Sequence, residues 1–174
     1  STSVMLEQMW LKFDIDRQLF VTVGRQPIKW GSSRFWNPSD FVNQDARDPL
    51  AIFDQRIGPT LVKLHYPLEA LGWNFYALAT LDHARTGEEI GGALRAEILV
   101  DKTEISLSTL LAKGEATRFA LDVSTAIWRF DLRLESSLQK GVKTLFWRRV
   151  GSDDPFMSIE SFDRKEDWLY QIVV

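Results

Sequence analysis

Two groups of charged side chains are the part of this sequence best equipped for chemistry. One lies in a stretch without regular period and comprises Arg34, Asp40, Asp45, Arg47, Asp48, Asp54 and Arg56. The other recurs at alternate positions further on, in Arg95, Glu97, Arg118, Asp122, Arg129, Asp131, Arg133 and Glu135. Both groups mix signs, so what they offer is a field or a set of ion pairs rather than the making of bonds. Bond-making chemistry has weak support. His65 and His83 lack metal-ligand spacing. Asp82-His83 has no nucleophile motif to serve, and Asp45, Asp48 and Asp54 do not follow the EF-hand spacing. With no cysteine in the chain, disulfides, thiol catalysis and Cys-based metal sites are excluded. Neither an enzyme nor a cofactor is expected.

The second group of charges is positioned by a sustained period of two, the mark of β-strands, whose successive side chains leave on opposite faces. Leu94, Ala96, Ile98 and Val100 alternate with Arg95, Glu97 and Asp101; after Asp101-Lys102, Ile105, Leu107, Thr109 and Leu111 alternate with Glu104, Ser106 and Ser108. Phe119, Leu121 and Val123 oppose Arg118, Asp122 and Ser124, and Phe130, Leu132 and Leu134 oppose Arg129, Asp131, Arg133 and Glu135. One face of this sheet is apolar and the other carries mixed charge. Alternation leaves two environments open: an apolar face on a soluble core, or an apolar face on lipid with the charges lining a watery lumen.

Towards the N-terminus, Met5, Met9, Leu11, Phe13 and Ile15 mark a first strand over 4–15, followed by the turn Asp16-Arg17-Gln18. A second begins with Leu19, Val21 and Val23, after which the phase fails. Pro27 lacks a ladder donor, so a bulge or an edge position is expected there, and the slip would turn Arg25 or Lys29 inward. The stretch 31–59 has turn signals but also Phe35, Trp36, Phe41 and Phe53; a long irregular connection this apolar is usually packed and functional. Val62, Leu64 and Tyr66, then Trp73, Phe75, Ala77, Ala79 and Leu81, form the next hairpin. The segment 136–167 reads as a further long, charged connection, and Trp168 opens a ninth strand.

The connections after strands one, three, five and seven are short, those after two, four and eight are long, and the one after six, around Lys113-Gly114-Glu115, is intermediate. Tight turns at one end and long loops at the other are what a transmembrane β-barrel shows, and strands of about ten residues are long enough to cross a bilayer at a tilt. The absence of a run of about 18 apolar residues excludes a transmembrane helix but not such a barrel. Seven tryptophans are many for this length, and Trp30, Trp73, Trp128 and Trp168 at strand ends suit an interfacial aromatic girdle; aromatic core at strand ends suits them equally. The net charge of −3 and the lack of a basic run give no sign of nucleic acid.

The run Val23-Gly24-Arg25-Gln26-Pro27-Ile28-Lys29-Trp30-Gly31, followed by Arg34-Phe35-Trp36-Asn37-Pro38-Ser39-Asp40, resembles porin-like proteobacterial outer-membrane barrels, including alginate-export-like groups. The resemblance implies a β-barrel in the outer membrane of a Gram-negative bacterium, passing small polar or lipidic solutes. The expected fold is therefore an all-β, antiparallel up-and-down transmembrane β-barrel, a single domain over 1–174. About nine strands are present, and nine cannot close with every neighbour antiparallel, so the chain is expected to be part of a larger barrel. Expected partners are outer-membrane lipid and a small solute, with further copies of the chain or other envelope proteins. The wall and constriction would be lined by Arg25, Lys29, Arg34, Asp40, Asp45, Arg47, Asp48, Asp54, Arg56, Arg95, Glu97, Arg118, Asp122, Arg129, Asp131 and Arg133, with 31–59 folded into the lumen. Ion pairing that only stabilises the sheet is the plain alternative for the strand-borne charges. At the level of function, the alternatives are a soluble β-barrel or sandwich that binds lipid or carbohydrate, and a barrel subunit that anchors an assembly.

Overall fold

The computed structural model describes residues 8–28, 30, 42, 58–81, 90–111, 117–150 and 158–174, with only the backbone given for 142–150, 158–160 and 162–166. They form one antiparallel sheet of nine strands paired in chain order. The strands are β1 (Met9–Ile15), β2 (Leu19–Arg25), β3 (Thr60–Leu68), β4 (Trp73–Thr80) and β5 (Gly91–Val100), then β6 (Thr103–Leu111), β7 (Thr117–Ile127), β8 (Phe130–Val150) and β9 (Ser158–Val173). β1 and β9 are the edges, and the sheet is open rather than closed on itself.

The turns expected between odd-numbered strands and their successors are all tight. Asp16 and Arg17 both take positive φ, of 52° and 55°, and Gln18 N donates to Ile15 O at 3.1 Å. Asp14 Oδ1 adds an acceptor for Arg17 N at 3.1 Å, the local bonding for which Asp is favoured in turns. A single 3-10 turn, Glu69–Leu71, links β3 to β4 and ends at Gly72 with φ 67°. Asp101 and Trp128 each begin a two-residue turn with φ of 55° and 57°. That conformation is mild for Asp but strained for a side chain as bulky as Trp.

Two boundaries differ from the sequence-based expectation. The slip foreseen at Pro27 does not occur, because β2 simply ends at Arg25, in register with Met9 and Thr60. Arg25 therefore keeps the parity of Val21 and Val23, and its Nε donates to Thr60 Oγ1 at 3.5 Å. The segment 136–167 is not a long connection. β8 runs on to Val150 and β9 starts at Ser158, their ladder crossing register shifts at Lys140/Val142 and Val142/Phe146. Those irregularities, with Gly141 at φ 84°, break the period of two that would have announced the strands.

The register sorts every strand residue onto one of two faces. Leu11, Val23, Val62 and Ala79 share a face with Phe75, Ala96, Leu107 and Leu121. The opposite face carries Thr22, Lys63, Leu78, Ala93, Arg95, Glu97, Ser108, Asp122 and Glu135. The charged face is the buried one. Leu61, Leu78, Ala93, Leu110 and Ala120 on it form a core with Ile28, Trp30 and Val42 from the β2–β3 connection. Across the apolar face, Leu11, Leu94, Leu107, Leu111, Phe119, Leu132 and Ile172 stand exposed, with Val21 a buried exception. A soluble sheet normally buries its apolar side and wets its polar one. This sheet does the reverse.

Candidate functional site

Arg95 is the centre of the charged face. It points inward from β5 because that strand alternates Ala93, Arg95, Glu97 with Leu94, Ala96, Ile98, and the inward set is covered. Arg95 Nε donates to Glu97 Oε1 at 2.8 Å, and Nη1 donates to Ser108 Oγ at 2.9 Å and Asp122 Oδ2 at 2.8 Å. Three adjacent strands thus meet at one guanidinium, whose planar fork suits two carboxylates at once. The arrangement is dry: the side chains of Arg95 and Asp122 are 6% and 5% exposed. Tyr76 OH, from β4, donates to the other Glu97 oxygen at 3.2 Å.

Around this hub the face is ordered into lateral rows. Glu97, Ser106, Asp122 and Glu135 lie in register across β5 to β8, so Asp122 and Glu135 face each other as buried acids. Asp122 Oδ1 has no hydrogen-bond partner, and neither does the buried Nε of Arg118, two rows away. On β1 to β3 the sign changes, with Lys12 and Lys63 both in register with Thr22. Between the two sits an aromatic series. Phe20 and His65 have ring centroids 5.8 Å apart, and His65 stacks on Tyr76 at 4.5 Å and 11°. His65 Nε2 lies 2.9 Å from Asn74 Oδ1, and Lys12 Nζ sits 5.0 Å from the Phe20 ring centroid.

The expected wall residues are thus sorted. Arg95, Glu97 and Asp122 are brought into one network, with Arg118 beside it. Asp131 and Arg133 share the face but lie towards the short-turn end and are exposed. Arg129 is in the β7–β8 turn, not the wall, with its guanidinium 5.3 Å from the Trp128 ring centroid. Arg25 has the parity of the apolar face and stands at the sheet margin. Lys29, Arg34, Asp40, Asp45, Arg47, Asp48, Asp54 and Arg56 lie outside the described residues, as does most of 31–59; of that stretch only Val42, Gly58 and Pro59 are described. Trp30, expected at a strand end in an aromatic girdle, is instead buried on the charged face, its ring centroid 5.8 Å from Arg95 Cζ. Lys12, Lys63, His65 and Tyr76 were missed as members of the site. Their inward parity was readable, but their proximity to Arg95 depends on cross-strand register.

The arrangement holds charge in place. Arg95 engages Glu97, Ser108 and Asp122 through Nε and Nη1, and among the described residues no three His, Cys, Asp or Glu side chains are placed to hold a metal ion. The apolar face has a different feature: a shallow hollow of about 710 Å³ between Leu19, Leu64, Tyr66, Phe75, Leu107 and Phe119. Its floor is low because Ala77 and Ala96 occupy adjacent strands among these larger side chains. Compared with protein-family models, curated proteins and solved structures, the chain matches none.

Proposed function

We propose that this sheet is part of the wall of a transmembrane β-barrel in a bacterial outer membrane, and that the barrel passes small polar solutes along its charged face. One observation carries the proposal: the buried face holds Arg95, Glu97, Asp122 and Glu135, while leucines and aromatic rings stand uncovered on the other. In water, each fully exposed Leu or Phe forgoes roughly 1.5–3 kcal/mol of burial. Against hydrocarbon that penalty vanishes, and polar groups gather towards the lumen. Strand lengths of 9 to 11 residues in β5, β6 and β7 suit a tilted crossing of the bilayer. Tight turns at one end, with Trp73 and Trp128 beside them, add to the support. The mixture of Lys12 and Lys63 on one side of the face with the acidic row on the other would give the lumen a lateral field that favours polar solutes.

Reconstitution of the protein into lipid vesicles and planar bilayers tests this. Heat-resistant β-structure that forms only with lipid or detergent, together with stepwise ion conductance, is the expected result. A monodisperse, folded protein in detergent-free buffer would refute it. The hollow beside Phe75 and Phe119 favours a second reading, a sheet that binds an apolar ligand, since binding pockets are concave and mostly apolar. That reading leaves the buried acid row without a purpose, and it predicts saturable fatty-acid binding by a water-soluble protein.

A further inference from the structure

Beyond the channel itself, the described ends of the β2–β3 connection point to a built-in anchor. Gln26 N donates to Pro59 O at 3.2 Å, which closes the base of the connection. At that crossing Gly58 is obligatory for space, since a Cβ there would fall 2.0 Å from Gln26 C and 2.1 Å from Pro27 N. From this base Ile28 and Trp30 pass onto the charged face, where they and Val42 bury against Leu61, Leu78, Ala93, Leu110 and Ala120. Trp30 lies against the Arg95 guanidinium, whose edges are already fixed by Glu97, Ser108 and Asp122. A cation held this rigidly loses little freedom when a ring stacks on it, and desolvation strengthens the contact.

We infer that Arg95 is a positioning residue: it holds the start of the β2–β3 connection on the inner face through Trp30, and so fixes how much of that face stays open. The consequence for solute passage rests on the channel reading; the anchoring itself does not. Because the chain has no cysteine, a Val42→Cys substitution supplies a single thiol inside the anchored cluster, where Val42 is 6% exposed. Its labelling by a water-soluble maleimide reports local release without any assay of transport. Variants are compared after their β-sheet circular dichroism has been matched to the parent's.

Slow labelling is expected in the parent background, rising roughly tenfold with Trp30→Leu and with Arg95→Lys, which keeps the charge but loses the planar, weakly hydrated guanidinium that Trp30 lies against. Trp30→Phe, which retains a weaker ring, should fall between them. Combining Trp30→Leu with Arg95→Lys should add little, because both remove the same contact. The anchor is overturned if Trp30→Leu and Arg95→Lys label at the parent rate. It is equally overturned if the parent thiol labels as fast as one at the exposed turn position Lys102. Absence of conductance in the parent protein, with the labelling pattern as expected, would count against the channel alone.

Discussion

Replacing Leu107 by arginine separates the two environments that the apolar face could meet. Leu107 is the fifth of nine residues in β6, 53% exposed and paired with Ala96 and Leu121. Four residues at about 3.3 Å each place it some 13 Å along the strand from either end, or about 10 Å in depth at a tilt near 40°. An apolar band about 25 Å tall then puts Leu107 close to its middle, where arginine costs about 2–4 kcal/mol. On a water-exposed sheet the same change would stay within about 0.5 kcal/mol. Leu132 pairs with Thr125 at the short-turn end of the same face, so Leu132→Arg should cost only about 0–1 kcal/mol. Chemical denaturation of vesicle-inserted protein, with reversible refolding, measures both. Equal and negligible costs at Leu107 and Leu132 would refute the lipid-facing assignment, as would spin labels at Leu107 and Leu121 that report water.

Arg95→Ala should cost about 3–5 kcal/mol in the same titration, because it strands Asp122 as a buried acid and takes a partner from the half-buried Glu97, whereas Arg95→Lys should cost less. Gly24→Ala should unpair β1, since Gly24 sits at φ 133° and a Cβ there would lie 2.2 Å from Met9 O; loss of amide-exchange protection in 9–15 alone is the expected sign. Trp128→Gly should relieve backbone strain of about 1 kcal/mol or more in detergent micelles. If Trp128 anchors the interface, brominated-lipid quenching should place it and Trp73 at one depth and Trp168 at another, while the buried Trp30 is not quenched; Trp73, Trp128 and Trp168 at a single depth would overturn the strand directions.

The parts of this fold that were legible in the sequence are those where period and turn chemistry agree. β5 to β7 and the start of β8 alternate without interruption from Leu94 to Glu135, and Asp101-Lys102 falls where a tight turn was needed. Beyond Glu135 the ladder continues, but bulges near Lys140 and Val142 shift its phase, so a local period could not follow it. The charged face was legible as a face. Its hub was not, because the meeting of Arg95, Ser108 and Asp122 depends on which residues lie opposite one another across two strand pairs. Trp30 was misplaced for a related reason. Proximity to a strand end locates a ring along the chain, but burial depends on which face the connection turns across.

The long β8–β9 hairpin has a mechanical consequence. β7 pairs with β8 only from Phe130 to Lys140, while β8 and β9 remain paired as far as Val150 and Ser158. Among the described residues this outer part is a two-stranded ribbon with no neighbour on either side. Ten residues of extended chain reach about 33 Å, so the ribbon stands well clear of the sheet that roots it. Two strands alone are marginally stable, and the register shifts at its base weaken its coupling to the rest. Its amides should therefore exchange as a separate cooperative unit, ahead of those in β5 to β7. In the barrel setting it would carry its unpaired backbone edges above the hydrocarbon, since lipid tolerates none.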